Sequence, residues 1–425
     1  MNQKSEKMKQ KFTAFEEDFY YNVINKGASR PERNGEKSMF VKQPPMGWNS
    51  WNAFTNKITD KIVRETADTM VERGLVKAGY DYLVIDDSWA EHERDENGRL
   101  VVCLAKFPHG MKALADYVHS KGLKFGMYSS AGIRTCMDYP GSFGHEFQDA
   151  AFFAEIGVDF LKYDYCYKPQ LADGPMLYNR MSMALKATGR DILLSACNWG
   201  RDDTPQWVRS TGAGMFRSTQ DITDTYASIR QIALSQLDNL PYSAPGCFND
   251  LDMLVAGLYG QGCIGFGEGC TEVEYRQHFA FWCMLSAPLM LGMDVRAMTD
   301  ATRALLTNAD LLAIDQDPEA RPPYTHKLQF NRDCLGSEQT RVLFKHLSDG
   351  TYALGIFNFG DEDSGVSVRL YDIGLDTACG YGFALTDVFT HENVGTYHEI
   401  YNLKVPAHDC RVYRAKLVRC GRGGL

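Results

Sequence analysis

Acidic, basic and aromatic side chains follow the short apolar segments of this chain, at the points where buried strands are expected to end. Carboxylates accept hydrogen bonds from sugar hydroxyls, and flat aromatic rings cover the C–H side of a sugar ring. The combination predicts a carbohydrate site. The strand-end residues are Trp48, Trp51, Asp86, Asp87, Trp89, Tyr128, Lys162, Asp164, Cys197, Asn198, Trp199, Arg217, Asp221, Asp250, Asp252 and Asp294.

Two of these carboxylates suit glycosidic bond cleavage, which needs one ionised nucleophile and one protonated acid. Asp164 suits the first role, because the positive charge of the nearby Lys162 stabilises an ionised carboxylate. Asp221 suits the second role if its surroundings are poorly solvated. The two residues end the fourth and sixth apolar segments of the chain.

Each residue also has a simpler structural interpretation, which the sequence leaves open. One of Asp86 and Asp87 suits the N-cap of the next helix, and Asp221 suits the N-cap of a helix that begins one residue later. Lys162 and Asp164 also suit a purely structural ion pair, and the tryptophans suit packing at the rim of the sheet. These interpretations weaken jointly, because eight strands are not expected to end in this way by accident.

Metal chemistry is the main competitor, because clustered aspartates provide the oxygen ligands of Mg²⁺ or Ca²⁺. Lys162 and Arg217 are expected among these aspartates, and fixed cations there would take the place of a metal. No HExxH motif and no GxSxG motif occurs in the chain. We therefore expect neither a metal nor a cofactor.

The elements that position these residues are predicted by the apolar pattern. Apolar segments alternate with amphipathic helical segments over residues 41–325, which predicts parallel βα units and a (β/α)8 TIM barrel. A doubly wound open sheet is the alternative, but no GxGxxG motif opens a helix directly after the first strand. Residues 326–425 alternate without helices and predict a C-terminal antiparallel β-sandwich, with a hairpin around Ser348-Asp349-Gly350. Residues 1–40 form a charged N-terminal extension.

Composition limits the class of protein. The chain has 425 residues and a formal net charge of −9, so it lacks the basic surface of a nucleic-acid binder. No apolar segment is long enough to span a membrane, and no secretion signal or Asn-x-Ser/Thr sequon is evident. The twelve cysteines are dispersed. We expect a cytoplasmic protein whose partner is a small carbohydrate, and which forms a homo-oligomer.

Several long motifs over residues 44–320 resemble glycoside hydrolase family 27, the family of α-galactosidases and α-N-acetylgalactosaminidases. They occur in the family's order, which makes the resemblance highly specific. The motifs are PPMGWNSW, GYDYLVIDDSWA, KFPHGMKALADYVHSKGLKFGMY, GSFGHE, VDFLKYDYC, FRSTQDI, FNDLDMLV and AIDQDP.

This resemblance implies a retaining double displacement with Asp164 as the nucleophile and Asp221 as the acid/base. The two carboxyl groups of a retaining pair lie about 5–5.5 Å apart. Asp86 and Asp87 would bind the 4- and 6-hydroxyls of the sugar. The substrate-binding residues expected by resemblance are Trp51, Asp86, Asp87, Tyr128, Lys162, Cys197, Asn198, Trp199, Arg217 and Asp252.

The chain departs from the family pattern at Asn198. α-Galactosidases commonly have Glu there, and α-N-acetylgalactosaminidases have Ser, so the 2-position of the sugar is the open question. Ser88 and Ala213 replace cysteines that secreted animal members have. Cys136 and Cys166 keep family positions, either as thiols or as a bridge.

We expect a retaining exo-α-galactosidase that acts on small oligosaccharides. One alternative is the same chemistry on a β-L-arabinopyranoside, an α-N-acetylgalactosaminide or an isomaltose-type α-glucoside. A second alternative is a non-catalytic sugar-binding protein, which the presence of both Asp164 and Asp221 disfavours.

Overall fold

The computed structural model describes residues 41–265, 267–326 and 339–420, so the N-terminal extension lies outside the described residues. Its first part is an eight-stranded parallel sheet in the order β7-β6-β5-β4-β3-β2-β1-β8. From β1 to β7, strands that are consecutive in the chain are neighbours in the sheet, and β1 pairs with both β2 and β8. The strands are β1 Met46–Asn49, β2 Tyr82–Val84, β3 Lys124–Ser130, β4 Phe160–Asp164, β5 Leu193–Cys197, β6 Met215–Arg217, β7 Phe248–Asp250 and β8 Leu289–Leu291.

The sheet closes through the segment that follows β7. The amide of Leu254 donates to the carbonyl oxygen of Met290 at 2.7 Å, and the amide of Gly292 donates to Leu254 at 3.0 Å. This parallel bridge joins the segment after β7 to β8, the last strand of the barrel. The expected (β/α)8 barrel is therefore confirmed, and the doubly wound alternative is wrong.

Alternation along the strands builds an apolar floor and a polar mouth inside the barrel. Phe160, Leu193 and Met215 form one apolar cluster in the lumen, whereas Leu161 and Leu194 belong to the layer beneath the helices. Residues two positions further along a strand face the same side. Lys162 and then Asp164 therefore follow Phe160 towards the mouth, Cys197 follows Leu193, and Arg217 follows Met215. The strands run from apolar to polar in the direction of the chain.

The helices begin at recognisable caps. Thr59 and Asp173 each accept a backbone N–H of the first helical turn through their side chains, and Thr271 forms a capping box with Glu274. The helices are α1 Trp51–Phe54, α2 Asp60–Glu72, α3 Gly110–Ser120, α4 Glu146–Ile156, α5 Gly174–Ala187, α6 Thr204–Thr211, α7 Tyr226–Ser235, α8 Glu272–Met284, α9 Asp300–Leu306 and α10 Ala309–Asp315. Among the residues described, none of the helices is both long and apolar enough to cross a bilayer.

The C-terminal part is antiparallel. One sheet has the order β14-β13-β16-β11-β10-β9 and a second pairs β12 with β15. Buried side chains of both sheets, among them Val342, Val366 and Tyr401, share one core. The expected sandwich and its β10–β11 hairpin are confirmed. The strands are β9 Tyr324–His326, β10 Thr340–His346, β11 Tyr352–Asn358, β12 Ser364–Arg369, β13 Tyr381–Asp387, β14 Asn393–Tyr397, β15 Ile400–Val405 and β16 Cys410–Arg419.

Strands β10 and β11 of the six-stranded sheet are buried on both faces, because the face turned away from the sandwich core packs against the barrel. Phe281 of α8 meets Phe357 edge to face, with ring centroids 5.1 Å apart. Gln277, also on α8, donates to the carbonyl oxygens of Asn358 at 2.9 Å and Asp409 at 2.8 Å. Helix α8 therefore joins the barrel to the β domain.

Candidate active site

The carboxylate of Asp164 ends β4 and is held at the mouth of the barrel. Only 5% of the residue is exposed. The amide of Tyr165 donates to its Oδ1 at 2.8 Å, and the hydroxyl of Tyr128 donates to its Oδ2 at 3.1 Å. Tyr128 lies on β3 directly beside Lys162 of β4. These contacts, one to each carboxylate oxygen, fix the orientation of the Asp164 carboxylate.

Lys162 pairs with Asp86 rather than with Asp164. Its Nζ lies 2.8 Å from Asp86 Oδ2, and the same oxygen accepts a 2.8 Å hydrogen bond from Asn49 Nδ2. The alternative interpretation of Lys162 and Asp164 as a structural ion pair is therefore wrong. The Lys162 side chain extends from β4 to Asp86, which follows β2. Lys162 therefore affects Asp164 only through its charge.

Asp87 is buried beside Asp86 and faces the loop after β3. Its Oδ2 accepts a 3.0 Å hydrogen bond from the amide of Met137, and its Oδ1 accepts one of 2.7 Å from the amide of Ser88. Burial raises the pKa of Asp87 to about 6, although these amides counteract it. Helix α3 begins far along the chain at Gly110, so neither aspartate caps it.

Arg217 joins Asp221 to Asp252. Its Nη2 donates to Asp221 Oδ1 at 2.6 Å and lies 2.8 Å from Asp252 Oδ2, while its Nε donates to Thr219. Arg217 and Asp252 are buried, whereas 73% of the Asp221 side chain is exposed. The next helix, α7, has Thr225 as its N-cap. The interpretation of Asp221 as a helix cap is therefore wrong.

The pKa shifts of the two candidate catalytic carboxylates are opposite to those expected from the sequence. Burial raises the pKa of Asp164 to about 6, and the charge of Lys162 only partly offsets this effect. Desolvation also raises the pKa of Asp221, but the charges of Arg217 and Lys162 and the Arg217 hydrogen bond outweigh it, so the net pKa is lowered. Without a ligand, Asp164 therefore holds a proton more firmly than Asp221 does.

Asn198 does not present its amide to the mouth. The residue is fully buried; its Nδ2 donates to the carbonyl oxygen of Arg201 at 2.8 Å, and its Oδ1 accepts a hydrogen bond from the hydroxyl of Thr204. The amide nitrogen and the amide oxygen of Asn198 therefore both stabilise the loop before α6. This geometry does not support the expectation that Asn198 contacts the sugar.

The remaining expected residues are Cys197 and four tryptophans, of which two are half-buried and two are buried. Cys197 is buried 4.0 Å from an Arg217 nitrogen, and burial raises the pKa of its thiol. Trp51 and Trp199 are half-buried, Trp51 against the lumen cluster and Trp199 edge-on to Tyr165. The tryptophans at 48 and 89 are buried and donate their N–H groups to backbone carbonyls, as rim packing requires.

Cys136 and Cys166 form a disulfide with a Cα–Cα distance of 5.2 Å. Cys136 Sγ lies 3.6 Å from Asp164 Oδ2 and 3.4 Å from the Tyr128 hydroxyl. Together with Asp164, these cysteines are the group of potential metal ligands that stands out among the described residues. Their sulfurs are bonded to each other and are not available as thiolates.

Sequence reasoning missed Asn49 as a partner of Asp86, and it placed Asp250 at a strand end without including it among the substrate-binding residues. Asp250 ends β7 and lines a small cavity beneath the mouth together with Asn49 and Arg217. Burial raises its pKa to about 7, which the Arg217 charge partly offsets. Their positions at strand ends were the available signal.

Comparison with known proteins identifies close relatives. The family described as alpha galactosidase A, melibiase, matches residues 43–317, and an alpha galactosidase C-terminal β-sandwich domain matches residues 337–415. The alpha-galactosidase of Cyamopsis tetragonoloba is 41% identical over 87% of this chain and 85% of its own length. Alpha-galactosidase A of Cellvibrio japonicus is 37% identical, over 88% and 92%.

A similar solved structure is that of the alpha-galactosidase from Saccharomyces cerevisiae with raffinose. It superimposes with a TM-score of 0.79 at 28% identity, over 89% of this chain and 98% of that chain. The likeness extends over both the barrel and the β domain.

Proposed function

This chain belongs to the alpha galactosidase A family of melibiases, a family of glycoside hydrolases, and on that premise we propose that it is a retaining exo-α-galactosidase. The observation that carries the proposal is the pair of carboxylates at the barrel mouth. Asp164 is buried and oriented by Tyr128 and the Tyr165 amide, whereas Asp221 is exposed and accepts a hydrogen bond from Arg217. The charge of Asp221 contributes to the raised pKa of Asp164, so each lies within the electrostatic field of the other.

In the first step, an Asp164 carboxylate oxygen attacks the anomeric carbon of the sugar. The bond from that carbon to the leaving oxygen breaks, and Asp221 donates its proton to this oxygen. The product is a covalent ester between Asp164 and the sugar. In the second step, Asp221 removes a proton from water, and the water oxygen attacks the anomeric carbon and releases Asp164. Two inversions return the original configuration.

The glycon is held by the buried charges around this pair. Asp86 is oriented by Lys162 and Asn49, and Asp87 by two backbone amides, so both are ready to accept hydrogen bonds from the 4- and 6-hydroxyls. A buried group left unpaired by the wrong epimer costs free energy, which favours galactose over glucose. Trp51 provides an apolar surface beside them.

The substrates we propose are small α-galactosides of the raffinose and melibiose type. The solved yeast relative with raffinose supports this class. We also propose that the protein acts in the cytoplasm. Nine cysteines of the described chain are free thiols, which suits a reducing compartment, whereas the Cys136–Cys166 bridge argues against it. Cell fractionation with activity measurement in each fraction tests the location.

Initial rates on four nitrophenyl glycosides test the function. The panel contains the α-galactoside, α-N-acetylgalactosaminide, β-L-arabinopyranoside and α-glucoside. We expect the α-galactoside to dominate and Asp164→Asn to abolish its hydrolysis. If the rate on another glycoside is the highest, the assigned substrate changes but the proposed mechanism stays. Near wild-type activity in Asp164→Asn would eliminate the assigned nucleophile.

A further inference from the structure

One face of helix α8 contacts both segments that carry the partners of Arg217. Tyr275, His278 and Trp282 lie at spacings of three and four residues, which places them on one side of the helix. All three are buried. Each of them makes a hydrogen bond to one of the chain segments behind the barrel mouth, where Asp164 and Asp221 lie.

Trp282 holds the backbone of Asp252. Its indole Nε1–H donates a 3.0 Å hydrogen bond to the carbonyl oxygen of Asp252. Asp252 has a φ of +78°, a conformation that is unfavourable for a residue with a side chain and persists only when its surroundings hold it. The carboxylate of Asp252 in turn lies 2.8 Å from Arg217. The indole therefore stabilises a strained residue that holds Arg217.

His278 supports the same segment. Its Nε2 accepts a 3.1 Å hydrogen bond from the amide of Val255, and its ring lies edge-on to Trp282 with centroids 4.1 Å apart. Burial lowers the pKa of His278 to about 3, so the ring is neutral. A neutral ring that accepts at Nε2 fixes both the Asp252–Val255 turn and the orientation of the indole.

Tyr275 holds the segment of Asp221. Its hydroxyl lies 2.8 and 3.0 Å from the two carboxylate oxygens of Asp224, three residues after Asp221. The amide of Tyr259 donates to the same hydroxyl at 2.7 Å. Asp224 is itself buried and accepts from the amide of Gly260. The segment from Asp221 to Asp224 is therefore anchored to α8.

We propose that Trp282 and Tyr275 are positioning residues for acid catalysis, because together they set the distance between Asp221 and Asp252 that the single Arg217 guanidinium spans. This inference rests on the proposed function, in which Asp221 protonates the leaving oxygen. A second side of α8 is bound to the β domain through Gln277 and Phe281, so the helix is held by contacts on two of its sides.

Leaving-group dependence separates this role from general support of the fold. A nitrophenolate leaves with little protonation, whereas a methoxide leaves only if an acid donates a proton. We therefore measure kcat/KM on nitrophenyl and methyl α-galactoside for the full-length protein. Trp282→Phe keeps an aromatic ring but removes the N–H, and it also loses part of the ring volume, as the control variant below does. We expect the nitrophenyl-to-methyl ratio to rise about tenfold, a part of the usual contribution of acid catalysis.

Trp48→Phe is the matched control. Trp48 is also fully buried and also donates its N–H to a backbone carbonyl, that of Met293, at 2.7 Å. It therefore loses the same kind of hydrogen bond without touching the Arg217 partners. We expect both substrates to be affected equally in this variant, so that the ratio stays at the wild-type value. An equal rise of the ratio in Trp48→Phe would overturn the proposal.

A second variant keeps the test decisive if Trp282→Phe fails to fold. Tyr275→Phe deletes one hydroxyl oxygen, and we expect the same increase of the ratio. Folding is checked by melting curves. An unchanged ratio in the folded variants refutes the positioning role. Asp221→Asn tests the premise separately, since a wild-type ratio in that variant would show that the proposed acid is wrong, whatever Trp282 does.

Discussion

Arg217 Nη2 donates a 2.6 Å hydrogen bond to Asp221 Oδ1, although Asp221 is the residue that must hold a proton when the proposed reaction begins. The guanidinium charge favours the ionised form of Asp221. Asp164, which must be ionised, is buried and has its pKa raised to about 6. The ligand-free enzyme thus stores the shared proton mainly on the nucleophile.

This distribution predicts an acidic pH optimum. The reactive form has one proton on the pair, since no acid remains when both are ionised and no nucleophile remains when both are protonated. We expect kcat/KM to fall above about pH 6, the pKa of Asp164, and to fall again below the ordinary aspartate value of 3.8. Initial rates from pH 3 to 8, after a check that the enzyme survives each pH, measure both limbs. A plateau that extends to pH 8 would contradict the assignment.

The Lys162–Asp86 pair predicts that stability and activity respond differently to substitution. Lys162→Met leaves the buried Asp86 without its cation, which costs about 3–5 kcal/mol. Adding Asp86→Asn removes the unpaired charge, so we expect the double variant to regain stability but not turnover. Thermal unfolding and kcat/KM of both single variants and the double variant complete the cycle. Additive stability losses would show that the pair is not coupled.

Asn198→Ala separates loop structure from sugar specificity. The substitution removes two hydrogen bonds of the Asn198 side chain, but the Thr204 hydroxyl still reaches the Arg201 carbonyl oxygen at 2.6 Å, so the cost is about 1 kcal/mol. We expect a lower melting temperature and a twofold or smaller change in the ratio of α-galactoside to α-N-acetylgalactosaminide rates. A change of tenfold or more in that ratio would restore Asn198 as a specificity residue.

Reduction of the Cys136–Cys166 bridge is expected to weaken both stability and catalysis. The bridge spans 30 residues, and closing a loop of that size stabilises the fold by about 3.6 kcal/mol. It also contacts Tyr128 and Asp164, so its loss should lower kcat. Melting curves and rates with and without a phosphine reductant measure both effects. The Cys136→Ser/Cys166→Ser double variant is the control, and it should not respond to the reductant.

Asp250→Asn is expected to stabilise the protein only at high pH. Burial raises the Asp250 pKa from 3.8 to about 7. The folded state therefore binds this proton more tightly than the unfolded state, and the resulting stability is lost as the pH rises through 7. The neutral amide keeps the acceptor for the Asp252 amide and avoids the buried charge. We expect a gain on the order of 4 kcal/mol at pH 8 and none at pH 4. An equal gain at both pH values would mean that charge is not the cause.

The order and type of elements followed from the sequence alone, because a buried parallel strand is a continuous apolar segment and its polar end marks the mouth of the barrel. Residues such as Asp164, Arg217 and Asp252 were identified in this way and by motif resemblance. Alternation also predicted the β10–β11 hairpin, since a strand's side chains change face at every residue.

Only the tertiary structure decided which of these side chains meet. Lys162 is two residues from Asp164, yet it binds Asp86 from another strand, because closing the barrel brings strand ends together that are distant in the chain. Asn198 looks like a sugar ligand in sequence but is used within its own loop. The contacts of Trp282 and Tyr275 depend on the packing of α8, which no spacing along the chain encodes. Sequence spacing determines a residue's face and strand end, whereas pairing and protonation depend on distances and burial that exist only in the folded chain.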